Sequence, residues 1–127
     1  MRTVFRQLLH KIIPALRPVS EADIIVTFDD DTIIVTRPNG TTERLRWDAL
    51  EAVILEIAEG GPLRADMFWI LAGHDGTGCL YPGGATGENE MLEALQKRLP
   101  GFNDDILIEA MTTTTQQEFL LWTRRGD

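Results

Sequence analysis

Few side chains in this chain could carry nucleophilic catalysis. It contains one serine, one cysteine and two histidines, which are Ser20, Cys79, His10 and His74. A serine triad would have to use Ser20, which has no glycines around it to form a nucleophile elbow. A Cys–His pair is the better arrangement, because Cys79 and His74 lie five residues apart across the turn Gly73–Gly78 and their side chains could meet there.

The alternative interpretation of this pair is structural. A free cysteine in a strand is usually a buried apolar residue, and a histidine in a turn is usually solvated. His74 and Asp75 with one distant acid fall short of the three or four ligands that zinc requires. Asp29–Asp31 lacks the alternating ligands and final glutamate of a calcium loop. The sequence predicts no catalytic residue, no metal ligand and no cofactor, with a Cys/His or metal-assisted hydrolase as an alternative.

Charge is distributed unevenly along the chain. Residues 1–18 carry four basic and no acidic residues, and the rest carries eight basic residues against all twenty acidic ones. A body this acidic repels nucleic acid. Solubility alone would explain the acidity, but it also suits a basic partner protein. Under that hypothesis the candidate contacts lie in two turns, at Asp29, Asp30, Asp31, His74 and Asp75.

The first eighteen residues predict a basic amphipathic helix, which Pro14 is expected to bend or end early. The apolar half could dock on the protein's own sheet, on a second copy to form a homodimer, or on an anionic membrane. The basic residues that would meet the headgroups are Arg2, Arg6, Lys11 and Arg17. The apolar side chains fall within one half of a helical wheel, and they are Val4, Phe5, Leu8, Leu9, Ile12, Ile13 and Leu16.

Cysteine usage and hydropathy predict the compartment. A single cysteine rules out an internal disulfide and fits a reducing environment. No apolar run approaches the roughly 20 residues that a membrane span needs, and polar residues interrupt the amino end where a signal peptide would be apolar. These features predict a cytoplasmic protein.

Alternating apolar residues predict several strands. A three-stranded meander is expected over Asp23–Phe28, Thr32–Arg37 and Thr41–Trp47. Asp66–Leu71 is apolar on both alternating faces after its first residue, which indicates a strand in the middle of a sheet that is covered on both sides. Further strands are expected at Cys79–Tyr81 and Glu118–Thr123.

Two helices are expected before the last strand. The first runs from about Glu88 to Leu99, and Asn103 caps the second. Asp48–Gly60 is ambiguous, because its capping and spacing favour a helix while Val53, Leu55 and Ile57 alternate as in a strand. The residues expected to pack are Met91, Leu92, Leu95 and Leu99 in the first helix, and Ile106, Leu107, Ala110 and Met111 in the second.

A set of short motifs resembles a group of small bacterial proteins with a sheet-rich layout similar to pleckstrin-homology-like modules. The resemblance covers about residues 23–124, and it implies a strand over Val53–Ala58 and no particular chemistry. The motifs are Trp47-Asp48-x-Leu50, Val53-x-Leu55, Gly61-Pro62, Asp66-x-Phe68-Trp69-x-Leu71, Pro82, Leu99-Pro100-Gly101-Phe102-Asn103, Ala110-Met111 and Phe119-x-x-Trp122.

Together these features predict one α+β domain over residues 1–127, with an amino-terminal helix over 1–18 and a sheet-rich body over 19–127. The body is expected to hold one antiparallel sheet of about six or seven strands, with the last strand closing it. The expected function is non-enzymatic protein binding, of an adaptor or immunity type, through the edge of the meander at Asp29–Asp31 or the turn at Gly73–Gly78. The alternative is peripheral membrane association through the basic helix.

Overall fold

The computed structural model describes residues 21–59 and 65–125 of the protein. The amphipathic helix predicted over residues 1–18 lies outside this described part. The helices are α1 (Glu88–Arg98) and α2 (Asp104–Met111), with 3-10 turns at Glu21–Asp23 and Trp47–Ala49. The strands are β1 (Ile25–Phe28), β2 (Thr32–Thr36), β3 (Thr42–Arg46), β4 (Leu50–Glu59), β5 (Ala65–Gly73), β6 (Gly78–Pro82) and β7 (Gln117–Thr123).

The seven described strands form two antiparallel sheets, so the α+β class is confirmed but the expectation of one continuous sheet is wrong. The first sheet is the meander β1-β2-β3, and the second has the order β6-β5-β4-β7. The last strand does not close the sheet, because β7 pairs with β4 and ends the second sheet. Side chains rather than a strand ladder join the sheets, since Arg37 donates from Nη2 to the Leu80 carbonyl and Glu43 accepts from the Leu80 amide.

The meander matches its sequence pattern. β1 pairs with β2 and β2 with β3 in regular antiparallel register. Val26, Ile33, Val35 and Leu45 are buried on one face, while their neighbours in sequence are at least partly exposed. The alternation therefore indicates a sheet with one face on the core.

The ambiguous segment is a strand, as the resemblance implied and helical propensity did not. β4 runs over ten residues from Leu50 to Glu59 and pairs with β5 on one side and β7 on the other. Its side chains are buried on both faces, with Val53 and Leu55 on one and Ile54 on the other. A strand between two partners satisfies its backbone through both ladders, and this tertiary pairing outweighs the weak local preference for a helix.

The position predicted for the second apolar strand is confirmed. β5 lies between β4 and β6. Trp69 and Leu71 on one face and Phe68 and Ile70 on the other are all at most 5% exposed.

Both helices occur where they were expected. Gly87 precedes α1 with φ +93°, and the Asn103 side chain accepts a hydrogen bond from the Ile106 amide, as a helix N-cap does. The buried helical residues join both sheets in the main core, including Met91, Leu95, Leu107 and Ala110. Met111 was expected to pack, but it is 49% exposed at the last residue of α2.

Candidate interaction surface

The structure separates Cys79 from His74, the pair that could have made a nucleophile. Cys79 is fully buried in β6, where its Sγ lies 3.9 Å from the Ile33 carbonyl oxygen. His74 is exposed in the turn that precedes β6. Burial, and after it the charge of Glu43, raises the pKa of the Cys79 thiol to about 12, so it carries no thiolate near neutral pH. This arrangement gives no support to a Cys–His hydrolase.

The part of the chain that the structure describes contains no candidate metal site. Within residues 21–59 and 65–125, no three His, Cys, Asp or Glu side chains lie together as metal ligands would.

Neither helix in those ranges has the length and hydropathy that crossing a membrane requires.

The acidic turn between β1 and β2 is built around Asp29. Its Oδ1 accepts from the amides of Asp31 and Thr32 at 2.9 and 2.8 Å. These backbone hydrogen bonds, the one from Asp31 first, hold the pKa of the Asp29 carboxyl below its usual value. Asp29 therefore shapes the turn, and the exposed carboxylates of Asp30 and Asp31 are what the turn offers to a partner.

Trp47 and Arg98 hold the acidic turn between β1 and β2 in place. The Trp47 indole donates from Nε1 to the Asp29 carbonyl at 3.0 Å. The Arg98 guanidinium lies 4.5 Å from the Trp47 ring centroid and 5.6 Å from that of Phe28, and it contacts Asp30 at 3.6 Å. Cation–π contact and ion pairing together hold Arg98 over the turn.

The two turns singled out in the sequence lie on either side of the 3-10 turn Trp47–Ala49. The amide of Trp47 donates to the Asp31 carbonyl, and the amide of His74 donates to the Ala49 carbonyl, both at 3.0 Å. The two turns thus frame one surface, which we call the tip surface: Asp30, Asp31, Asp48, His74 and Asp75.

The tip surface is less acidic than its aspartates suggest. Arg46 donates to both carboxylate oxygens of Asp48 at 3.1 Å, and this pairing lowers the pKa of Asp48. Arg98 pairs with Asp30. Asp75 accepts from the hydroxyl and amide of Thr77, which lowers its pKa without neutralising its charge. Among the described residues, Asp31 and Asp75 form no ion pair within 4 Å and keep their charge for a partner.

The edge of the meander is not an open strand edge. Val26 donates from its amide to the Thr86 carbonyl and the Thr86 amide donates to the Ile24 carbonyl, both at 2.9 Å. This parallel bridge occupies the side of β1 away from β2. At the β1 edge of the meander, the part that stays exposed is therefore the turn Asp29–Asp31.

An open strand edge occurs at β7 instead. No other described strand pairs with β7 on the side away from β4. The loop before α2 occupies one position there, because the Asn103 amide donates to the Leu121 carbonyl at 2.9 Å. The first half of the strand, Gln117–Leu120, is left as the stretch where another strand could pair.

A groove of about 540 Å³ runs along β7 beneath α2. Apolar side chains contribute part of its wall, with Leu120 44% exposed. The indole of Trp122 lies in this wall, held by a 2.9 Å hydrogen bond from Nε1 to the Pro100 carbonyl. We call this feature the β7 groove, and its principal lining residues are Asn103, Ile106, Glu109, Glu118, Leu120 and Trp122.

Each wall of the β7 groove holds an acidic residue, and none of its described lining residues is basic. Of its described lining residues, Glu109 of α2 and Glu118 of β7 are acidic. Asp105, which is exposed, lies one helical turn before Glu109 on α2. Arg124, which follows β7, donates to the carbonyls of Leu50 and Trp47. Its guanidinium lies 5.5 Å from the Trp122 ring centroid, but Arg124 is not among the lining residues of the groove. Unlike the tip surface, this groove combines negative charge, an apolar wall and an open strand edge.

The sequence patterns do not reveal the β7 groove. Its signals are present as the acids of α2 and the aromatic pair Phe119 and Trp122, but helix capping and core packing account for these residues equally well. The groove exists because β7 pairs with β4 and is the last strand of its sheet. Neither the composition nor the spacing of residues indicates this strand order.

Comparison of the chain with family models, with curated proteins and with solved structures returned no match.

Proposed function

We propose that this is a non-enzymatic cytoplasmic module that binds a basic segment of another protein in the β7 groove. The observation that carries the proposal is the open edge of β7, Gln117–Leu120, beside an apolar wall and acids with no basic residue among them. A segment that enters in extended conformation would add a strand to the sheet, and its backbone hydrogen bonds would supply affinity.

Charge and side-chain pattern define the expected partner. Along an added strand, alternate side chains point to opposite sides. One set would meet Trp122 and Ile106 on the side of the main core, and the other would meet Leu120, which lies opposite Ile54 on the other face of the sheet. Both favour aliphatic or aromatic residues. Lysine or arginine in the segment would meet Glu109, which lines the groove, or Asp105, one helical turn before it on α2. Both carboxylates are exposed and form no ion pair within 4 Å among the described residues.

The tip surface is the second candidate for the same function. It has the unpaired charges of Asp31 and Asp75 on a turn framework fixed by backbone hydrogen bonds. It offers neither a groove nor a strand edge, and Arg46 and Arg98 offset its charge. We therefore place the principal contact at the β7 groove.

Selection of linear peptides from a random displayed library tests the proposal, because it needs no knowledge of the natural partner. We expect the selected peptides to be rich in lysine or arginine and to bind more weakly as salt rises. The pair Asp105→Asn and Glu109→Gln should weaken the affinity roughly two- to thirtyfold, since each of two exposed ion pairs contributes about 0.2–1 kcal/mol.

The matched control is Asp31→Asn with Asp75→Asn, which removes the same number of charges from the tip surface. It should leave the affinity within about a factor of two, the screened effect of distant charge. If the tip pair weakens binding and the groove pair does not, the contact belongs to the tip surface. If selection yields no peptide with salt-sensitive binding, the protein-binding proposal itself fails.

A further inference from the structure

The side of the meander that faces away from the core is basic, although the protein as a whole is acidic. We call it the meander face, and its side chains are Ile25, Ile34, Arg44, Arg46 and four threonines. Arg46 is paired with Asp48. Arg44 is exposed and forms no ion pair within 4 Å among the described residues. In a chain of net charge −8, a face with two arginines and no acidic residue attracts negative charge.

Cross-strand pairing places Arg44 beside the two isoleucines of the meander face. Ile34 lies directly opposite Arg44 on one side and Thr27 on the other. Ile25 is opposite Thr36, two residues along β2 from Ile34, so the isoleucines are diagonal neighbours. Ile25 is 40% exposed. The middle of the face therefore combines exposed apolar surface with an unpaired cation.

One stripe of α2 carries the complementary combination. Ile108 and Met111 are 64% and 49% exposed and lie one helical turn apart, and neither lines the β7 groove. Asp104 lies one turn before Ile108. It accepts a hydrogen bond from the neutral amide of Gln96 at 2.9 Å and so keeps its charge. We call Asp104, Ile108 and Met111 the α2 patch, and α2 contains no basic residue.

We infer that the α2 patch of one copy of the protein docks on the meander face of a second copy. Ile108 and Met111 lie over the two isoleucines, and Asp104 of one copy pairs with Arg44 of the other. Among the described residues, four large apolar side chains are exposed, and three of them belong to these two surfaces. The fourth, Leu120, lies in the β7 groove. Opposite charge and exposed apolar surface thus occur together on both sides of the contact.

The net charge of the copies does not prevent this contact. At physiological ionic strength, charges farther apart than about 8 Å are largely screened, whereas Asp104 and Arg44 meet directly. Because the contact joins two different surfaces, it is heterologous and builds rings or open rows of copies. Neither surface includes β7, so the inference goes beyond peptide binding in the β7 groove and does not depend on it.

Sedimentation equilibrium of the full-length protein tests the inference. We expect the mean mass to rise above the 14.3 kDa of one chain as the concentration is raised to about 1 mM, where weak contacts become populated. Arg44→Glu removes the ion pair and sets like charges opposite each other, so it should weaken the association about two- to thirtyfold. A mass of 14.3 kDa at every concentration would overturn the inference.

Lys97→Glu is the matched control, because it makes the same change of charge on α1. The Lys97 side chain is 75% exposed and lies on neither docking surface. This control should leave the association within about a factor of two, which is the screened effect of distant charge. If Lys97→Glu and Arg44→Glu weaken the association alike, net charge rather than the meander face controls it, and the inference fails.

Mixing two variants shows whether the two surfaces bind each other. The face variant carries Ile25→Thr and Arg44→Glu, and the helix variant carries Ile108→Lys and Met111→Gln. Each variant alone should stay monomeric, while their mixture should form a one-to-one complex through the surface that each retains. Association of either variant alone would place the contact elsewhere, for example between two β7 edges, and would contradict the inference. So would a mixture that forms no complex.

Urea unfolding followed by tryptophan fluorescence confirms that each variant is folded before mixing. The four substitutions fall on exposed side chains, so we expect midpoints close to that of the unmodified protein. Where a pair lowers the midpoint, the single substitutions Arg44→Glu and Ile108→Lys take its place. The expected result is then a mixture that associates more strongly than either variant alone, and equal association of all three samples would overturn the inference.

Discussion

Trp69 in the central strand β5 donates a hydrogen bond from its indole Nε1 to Oε2 of Glu88, the first residue of α1, at 2.7 Å. The other oxygen of Glu88 accepts from the Gly84 amide at 2.8 Å. Trp69 is 1% exposed and stacks on Tyr81 with 6.1 Å between ring centroids. One carboxylate thus joins the middle of the second sheet, the turn after β6 and the start of a helix.

Replacing Glu88 should therefore destabilise the fold more than its position in a first helical turn would suggest. Glu88→Ala leaves the buried indole N–H and the Gly84 amide without their acceptor, and we expect a loss of about 1–3 kcal/mol in the free energy of unfolding. Urea denaturation followed by tryptophan fluorescence measures it. Glu93→Ala, which removes an exposed pair with Lys97 on the same helix, should change stability by less than about 0.5 kcal/mol.

Gly87 should tolerate no side chain. It has φ +93°, and a Cβ there would clash severely with the carbonyl oxygen of Val26, which is a backbone atom that cannot easily move away. Gly76 has φ +84° and open space where a Cβ would lie, so Gly76→Ala should lose only the left-handed penalty of about 1–2 kcal/mol. Gly87→Ala should lower the melting temperature clearly more, and equal shifts would contradict the close approach of β1 to this glycine.

Asp29 and Asp30 should respond differently to substitution although they are neighbours in sequence. Asp29→Ala removes the acceptor of two backbone amides and should lower the melting temperature more than Asp30→Ala, whose fully exposed carboxylate has one long ion pair. Because the pKa of Asp29 is lowered in the fold, its contribution is present above the unfolded pKa and is lost as pH falls through the folded value. The Asp29–Asp30 difference should therefore shrink at low pH.

Alkaline pH should destabilise the protein through Cys79 and Tyr81. Burial raises the pKa of the Cys79 thiol from 9.0 to about 12 and, with the nearby charge of Glu88, raises the pKa of Tyr81 well above 10.0. Between pH 9 and 12 the unfolded chain therefore releases protons that the folded chain retains, and stability falls as pH rises. The urea midpoint should decline above pH 9, and Cys79→Ala should make that decline shallower.

The sequence predicts the parts of this fold that depend on local patterns. The alternation in Ile33–Val35 and the two apolar faces of Phe68–Leu71 locate the meander and the central strand, and Asn103 marks the start of α2. The split into two sheets follows from long-range contacts instead. Arg37 and Glu43 bind the backbone of Leu80 about 40 residues away, and no periodicity encodes that seam.

Both candidate surfaces also depend on long-range contacts. The acidic turn and the glycine turn were recognisable as exposed segments, but the sequence does not show that Trp47–Ala49 lies between them or that Arg46 and Arg98 offset their charge. The β7 groove depends on which strand ends the sheet. Its walls come from α2 and β7, which short-range spacing treats as separate elements.

The most direct measurement of the central claim is a map of backbone amide shifts when the unmodified protein is titrated with a selected basic peptide. We expect the largest changes on the amides of Gln117–Leu120 and of Ile106–Glu109, with new protection from hydrogen exchange along the first half of β7 as an added strand pairs there. Changes confined to Asp30, Asp31, His74 and Asp75, with β7 unaffected, would contradict it.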